Sequence, residues 1–312
     1  MGQELCFFRG KVLRWKMSEF KCIGLIGRPG HDGVIESLTR FMLYLQSKEV
    51  SIMMDDVTSE LVRNSSAKVV TRAQLGANCD LLVVVGGDGS ILNAAKHVVS
   101  KGVPVIGINR GKLGFLTDIL PGEIESQFDE VLAGNYTVEN KFLLDVKVKA
   151  NVESNLLGLA LNDVVLHPGK AAQMIEFELF INDQFVYSQE SDGLIVATPT
   201  GSTAYSLSAG GPITHPDLNA VVLVPMYPHS LNSRPIVIDG DCEIKIVVAA
   251  KESLQPQVSC DGEVCYTASA SDELFVTKNS NPLKLIHPPN HSFYQACRSK
   301  LGWGSRLARP DD

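Results

Sequence analysis

The stretch Asp80-Leu81-Leu82-Val83-Val84-Val85-Gly86-Gly87-Asp88-Gly89-Ser90 decides the fold. Its continuous apolar run, rich in β-branched residues, suits a parallel strand buried on both faces. Two glycines end the run, and a helix is predicted from about Ser90 to Ser100. Val103-Pro104-Val105-Ile106-Gly107-Ile108 then reads as another buried strand. Strand, helix and strand at this spacing form a βαβ unit and imply a doubly wound α/β domain. Upstream, Lys21 to Ile26 and Val50 to Met54 are further strand candidates. Between them, Leu38, Phe41, Met42 and Leu45 are spaced for a helix over Val34 to Lys48.

The pattern changes after about residue 120. One helical stretch, Glu123 to Leu132, intervenes, and from Lys141 the chain reads as strands and turns. Leu144 to Lys149 and Ile175 to Phe180 alternate apolar and polar residues with period two. Three hairpins are predicted, turning at Asn182-Asp183, at Asp239-Gly240-Asp241 and at Asp261-Gly262. The expected organisation is an N-terminal extension over 1–20, an α/β domain over 21–120 and an all-β, sandwich-like domain over 121–289. The segment 290–312 is expected to return to the first domain. Met17 stands just before the first regular pattern, so residues 1–16 are expected to have no role in the fold.

Composition bounds the function. The chain has 312 residues, 45% hydrophobic and 20% charged, which is ordinary for a globular protein. Lys and Arg number 28 against 35 Asp and Glu, a net charge of −7 with no basic run. That argues against nucleic acid and anionic membranes as partners. No apolar run approaches the ~20 residues of a membrane span, and the N-terminus lacks the apolar core of a signal peptide. The seven cysteines, at 6, 22, 79, 242, 260, 265 and 297, show no CxxC pair. They read as thiols in a reducing cytoplasm, not as a disulfide framework or a zinc site. The seven histidines form no HExxH-like set, so no protein-built metal site is expected.

Three constellations carry chemistry. Gly86, Gly87 and Gly89 let backbone N–H groups approach a phosphate, and a helix N-terminus adds its dipole. Asp88 among them would repel phosphate unless it binds a bridging metal or accepts a proton from an attacking hydroxyl. The plain alternative is a tight turn with an aspartate near a helix cap. Neither GxxxxGK[ST] nor GxGxxG occurs at the strand ends, so a nucleotide is held by another route. Second, Ser191-Asp192-Gly193 leads to Thr198-Pro199-Thr200-Gly201-Ser202-Thr203-Ala204-Tyr205-Ser206-Leu207-Ser208-Ala209-Gly210-Gly211-Pro212. Small hydroxyl residues and glycine offer many donors with little bulk, and Tyr205 can stack on a base; a simple turn has the same composition. Third, Asn162-Asp163 enters the apolar run Val164-Val165-Leu166. An amide can read a base edge and a carboxylate can take two ribose hydroxyls; a hydrogen-bonded turn is the alternative.

Taken together, GGDG after a buried strand, ND before VVLH, and SDG followed by TPTGSTAYSLSAGGP resemble bacterial NAD kinase. Gly107 to Asp118, Met174 to Phe177 and Ser233-Arg234-Pro235 extend the resemblance over roughly residues 20 to 305. GGDG alone is shared with diacylglycerol, sphingosine and phosphofructokinase relatives; the TPTGSTAYSLSAGGP stretch is far more specific. The resemblance implies transfer of the terminal phosphoryl group of ATP to the 2′-hydroxyl of the adenosine ribose of NAD. It implies magnesium carried in with ATP, an α/β domain followed by a dinucleotide-binding β-sandwich, and a cytoplasmic homodimer or homotetramer. It places the catalytic aspartate on Asp88. Dinucleotide contacts fall on Gly89, Asn162, Asp163, Asp192 and the run Thr203, Ala204, Tyr205, Ser206, Leu207 and Ser208. Gln173, Glu190 and Glu263 also fall at substrate-binding positions, where relatives commonly carry His or Arg, a basic residue, and Gln. Ser90 replaces a frequent Thr. Two rival readings are a lipid or sugar kinase sharing only GGDG, and a non-catalytic NAD(P)-binding module.

Overall fold

The computed structural model describes residues 20–303 apart from 32, 64–65, 111–113, 151–152, 171–172, 250–253 and 290. The expected N-terminal extension lies outside these residues up to position 19. Phe20, its last expected member, is instead buried in the first hydrophobic core.

The first half alternates strand and helix. In order run β1 (Cys22–Gly27), α1 (Val34–Ser47), β2 (Ser51–Asp55), α2 (Asp56–Leu61), β3 (Lys68–Val70), α3 (Arg72–Asn78), β4 (Leu81–Gly86), α4 (Asp88–Val98), β5 (Val105–Asn109), α5 (Ile124–Leu132) and β6 (Thr137–Lys141). Strands β7 (Leu144–Ala150), β8 (Glu153–Ala160), β9 (Asp163–His167), β10 (Ile175–Ile181), β11 (Gln184–Ser191) and β12 (Gly193–Ala197) follow. The short α6 (Tyr205–Ser208) precedes β13 (Ala220–Met226), β14 (Ile236–Asp239), β15 (Ile244–Ala249), β16 (Gln257–Cys260), β17 (Glu263–Thr267) and β18 (Glu273–Lys278). β19 (Leu283–His287) and α7 (Phe293–Leu301) close the described chain.

Contacts divide the chain into two compact units, one of residues up to Glu139 together with Lys284 onward, the other Asn140–Leu283. The division lies past the boundary expected at 120. The reason is α5, whose Ile124, Phe128 and Val131 are buried in the first core. The return point is 284, because β19 pairs in parallel with β5.

The first sheet has the order β3-β2-β1-β4-β5-β19-β6. β1 pairs in parallel with both β2 and β4, so the winding reverses between β1 and β4. Open α/β sheets bind ligands beyond the carboxyl ends of strands at such a switch point. Asp88 follows the end of β4 directly. All six residues of β4 are buried, as expected of a strand covered on both faces. Its Val83 and Val85 join the cluster of Phe41, Leu45 and Phe128, while α4 covers the strand with buried Ile91, Ala94, Ala95 and Val98.

The second unit has two six-stranded sheets among the described residues, ordered β11-β10-β15-β18-β7-β8 and β14-β13-β12-β9-β16-β17. Alternation drives the packing. Ile175, Phe177 and Leu179 are buried while Glu176 between them is exposed. They meet Val164, Leu194, Leu223 and Val258 of the other sheet in one core. The second sheet is apolar on its opposite face too, through Val165, Ile195, Val222 and Val224. The hairpins at Asn182-Asp183 and Asp261-Gly262 form as expected. The one expected at Asp239-Gly240-Asp241 does not: β14 pairs with β13, and β15 pairs with β10 and β18 in the other sheet. That turn is a crossover, held by Asn219 and Lys278 on Asp241.

Candidate active site

Asp88 is the first residue of α4, after the extended N-cap Gly87. Its carboxylate organises the chain that follows β5. Oδ2 accepts the Phe115 N–H at 2.9 Å, and Oδ1 accepts the Leu116 N–H at 3.1 Å and the Thr117 hydroxyl at 3.3 Å. Lys300 Nζ on α7 stands 2.9 Å from Oδ2. Asn109 holds Thr117 in turn, its Nδ2 donating to the hydroxyl at 3.1 Å. The approach is close enough that only glycine fits at 114, since a Cβ there would run into Asp88 Oδ1. Gly87 and Gly89 face open space, whereas a Cβ on Gly86 would strike Ser90 Oγ. The Ser90 hydroxyl is buried and has no hydrogen-bond partner among the described residues.

The residues around Asp88 do not fit a resident magnesium cage. A hard cation of that kind wants several oxygen donors, whereas the Lys300 ammonium already stands 2.9 Å from Asp88 Oδ2. Among the described residues no group of three potential metal ligands includes Asp88.

The second unit holds a cavity of about 650 Å³, within the usual range of small-molecule sites. Asn162, Asp163, Gln173, Asp192, Ala204 and Tyr205 line it, as do Val165, His167, Lys170, Met226, Tyr227, Ser259 and Asp261, which sequence reasoning did not assign to a site. The floor is built by the β16–β17 turn. Asp261 and Gly262 take positive φ of 51° and 82°, the conformation an Asp-Gly hairpin turn requires. The Asp261 carboxylate then caps the backbone N–H groups of Leu161, Asn162 and Asp163 at 2.9, 2.7 and 3.3 Å. Asp163, nearly inaccessible, is pushed up to about 7 by burial and by the charge of Asp261.

The hydroxyl-rich loop departs from expectation. Thr198 Oγ1 donates to the Leu161 carbonyl at 2.6 Å, Ser202 Oγ to that of Pro199 at 2.6 Å, and Thr203 Oγ1 to that of Thr200 at 3.1 Å. A Cβ on Gly201 would strike the Asn162 carbonyl. These residues build the wall behind Asn162 instead of offering donors to the cavity. Of the run from 203 to 208, Ala204 and Tyr205 reach the main cavity. Ser208 lines a smaller one of about 260 Å³ with Arg234, while Ser206 Oγ is buried with no hydrogen-bond partner among the described residues. Leu207 lines neither.

Glu190 and Glu263 do not line the cavity. Glu190 lies on the exposed face of β11, opposite Glu176 of β10, while its neighbours Gln189 and Ser191 are buried. Strand alternation turns it outward. Glu263 begins β17 and is exposed. Asp118, His287 and His291, which sequence spacing does not connect, lie together in the first unit. Up to 173 residues separate them, so no spacing rule finds them. Sequence carries a weak sign for Lys170, in a Pro-Gly-Lys turn after β9, and none for Tyr227.

A doubly wound unit with a glycine-flanked aspartate at its switch point, joined in one chain to a β unit with a small-molecule cavity, defines a class of phosphotransferases. The chain belongs to the ATP-NAD kinase family: the family's N-terminal domain matches residues 23–136 and its C-terminal domain residues 161–288. A protein named NAD kinase from Pseudomonas putida is 53% identical over 296 residues, covering 95% of this chain and 100% of that protein. One from Azotobacter vinelandii is 55% identical over 291 residues, covering 93% and 99%. Among solved structures, yeast NADH kinase complexed with NADH matches with a TM-score of 0.84 at 26% identity, over 93% of this chain and 90% of that one. An NAD kinase from Archaeoglobus fulgidus in complex with ATP matches with a TM-score of 0.66 at 26% identity, over 90% and 97%.

Proposed function

We propose that the protein phosphorylates NAD on the 2′-hydroxyl of its adenosine ribose, with ATP as donor, and that Asp88 takes the proton of that hydroxyl. The observation that carries the role of Asp88 is its geometry: a carboxylate at a helix start, beside glycine backbone open to space, held by Phe115, Leu116 and Thr117. Such chemistry depends mainly on positioning and charge neutralisation. In this reading Gly87 and Gly89 present backbone N–H groups to the phosphates, and the α4 dipole assists them. Magnesium would arrive with the ATP substrate and would offset charge on its phosphates.

NAD binds in the cavity of the second unit. Asn162 reads the adenine edge, ionised Asp163 accepts the ribose hydroxyls, and Tyr205 stacks on the base. Lys170 supplies a positive charge among the lining residues for the diphosphate. The protein works in the cytoplasm, where ATP is made available and thiols stay reduced, and assembles as a homodimer or homotetramer. Light scattering behind size exclusion checks the last point.

One assay tests the central reading. Purified protein is incubated with NAD, ATP and magnesium, and NADP is read through an NADP-specific dehydrogenase. Turnover supports the reading. Binding of NAD without turnover would leave a sensing module, and phosphorylation of lipid or sugar but not NAD would overturn it.

A further inference from the structure

A buried imidazole and a partly buried one stack face to face in the first unit, between two carboxylates. The rings of His287 and His291 are 3.7 Å apart at an interplanar angle of 23°. Both Nδ1 atoms face one oxygen of Asp118: His291 Nδ1 at 3.0 Å and His287 Nδ1 in direct contact. Both Nε2 atoms face Glu139, His287 at 3.2 Å and His291 at 3.8 Å. His287 is fully buried, with its Nε2 3.2 Å from a Glu139 carboxylate oxygen. A buried imidazole held between two carboxylates calls for an explanation.

We propose that Asp118, His287 and His291 form a binding site for a borderline divalent transition-metal ion, zinc being the natural occupant. Two imidazole nitrogens and a carboxylate oxygen are the donor set such ions prefer over the all-oxygen shell of magnesium. The three donor atoms already lie within 4.8 Å of one another. A metal-bound histidine typically directs its other ring N–H to a carboxylate, which fixes the tautomer. Glu139 stands on that side of both rings. With both Nε2 atoms on the Glu139 side, both Nδ1 atoms face the same Asp118 oxygen, where a metal ion would replace the proton that His287 shares with Asp118. Coordination at Nδ1 would leave the Nε2–H of His287 to the Glu139 oxygen 3.2 Å away.

The ion would join three separate segments: the chain after β5, the end of β19 and the approach to α7. Asp118 follows directly on Phe115, Leu116 and Thr117, which hold Asp88, and His291 stands two residues before α7, which carries Lys300. Both supports of Asp88 are thereby tied together. Binding of the ion stands independently of the role given to Asp88.

The test uses the full chain, dialysed against a chelator and free of nucleotide. Co²⁺ is titrated in and its visible absorption recorded, then Zn²⁺ is added in competition. One equivalent of Co²⁺ is expected to bind with the intense bands of four- or five-coordinate cobalt, to be displaced by Zn²⁺ and to resist excess Mg²⁺. His291→Ala, at a side chain still 13% exposed, is expected to weaken binding at least about tenfold. It is also expected to abolish the rise in melting temperature that Zn²⁺ gives the parent protein. Should Asp118→Asn fold, it is expected to behave likewise. Absence of the cobalt bands above neutral pH would overturn the site and leave it a proton-holding cluster. Equal affinity in the parent and His291→Ala would do the same.

Discussion

Lys300 Nζ lies 2.9 Å from Asp88 Oδ2, joining residues 212 positions apart. The same lysine stands over the Phe115 ring at 4.6 Å, and Phe115 donates its N–H to the same carboxylate oxygen. Asp88 is thus locked from the backbone side by Phe115 and Leu116 and from solvent by an ammonium. Both side chains are about a quarter exposed, so the ion pair itself adds little stability. What it supplies is a single orientation for the carboxylate.

Asp88→Asn is expected to lower kcat by roughly a hundred- to ten-thousand-fold, the usual cost of losing a general base. The amide has one acceptor oxygen where the carboxylate has two, so one of the Phe115 and Leu116 N–H groups also loses its partner. NAD affinity is expected to persist, because the cavity-lining residues belong to the second unit. Steady-state kinetics with calorimetric titration of NAD check this, and a near-normal kcat would remove Asp88 from the chemistry.

Gly114→Ala tests the same carboxylate without touching its charge. The added methyl would overlap Asp88 Oδ1 and crowd the Thr117 hydroxyl, so Asp88 must turn away. A misplaced catalytic group costs about a hundredfold, and a fall in kcat of that order is expected with little change in NAD affinity. Gly122→Ala, where a Cβ meets open space, serves as the control and is expected to be neutral. Equal kcat in the two variants would show that the position of Asp88 is not critical.

Local patterns were legible because local physics decides them. The buried run 81–86 with its glycine end makes β4 and places Asp88, and period-two alternation makes β10. Asp261-Gly262 turns because two successive positive φ values suit those residues. What stayed hidden depends on partners far along the chain. Lys300 reaches Asp88 only once α7 packs in the first unit. The Asp239-Gly240-Asp241 turn has hairpin chemistry, yet pairing of β15 with β10 and β18 overrides it. Composition marked the loop from Thr198 to Ser208 as rich in donors. It could not tell donors aimed at a ligand from donors consumed by the loop's own carbonyls.

Asp163 gives the site a pH dependence. Burial and the nearby charge of Asp261 raise it to about 7, while the Asp261 charge is held by three backbone N–H groups. To accept ribose hydroxyls Asp163 must be ionised, so NAD affinity is expected to rise as pH climbs through about 7. Stability runs the other way. A carboxyl raised from 3.8 in the unfolded chain favours its protonated form in the fold. That contribution is full below about 4 and is lost as pH rises through about 7. Asp163→Asn is expected to flatten both trends, read by NAD titrations and thermal melts between about pH 5 and 8. An unaltered pH profile of NAD affinity in the variant would exclude Asp163 as the titrating group.

Glu190→Arg separates the pocket from the surface. A carboxylate beside the 2′-phosphate of NADP would disfavour that dinucleotide against NAD. The strand places Glu190 elsewhere: exposed, outside the cavity lining and directly opposite Glu176. Like charges facing across an antiparallel pair destabilise it, and an opposite-charge pair gains roughly 0.2–1 kcal/mol. Glu190→Arg is therefore expected to raise the melting temperature slightly, and Glu176→Lys to do the same. Combining the two restores a like-charge pair and is expected to remove the gain. Salt shrinks the effect, since both side chains face solvent. The ratio of NADP to NAD affinity is expected to stay at the parent value. A ratio that moves toward NADP in the variant, and returns at high salt, would place Glu190 within reach of the bound dinucleotide after all.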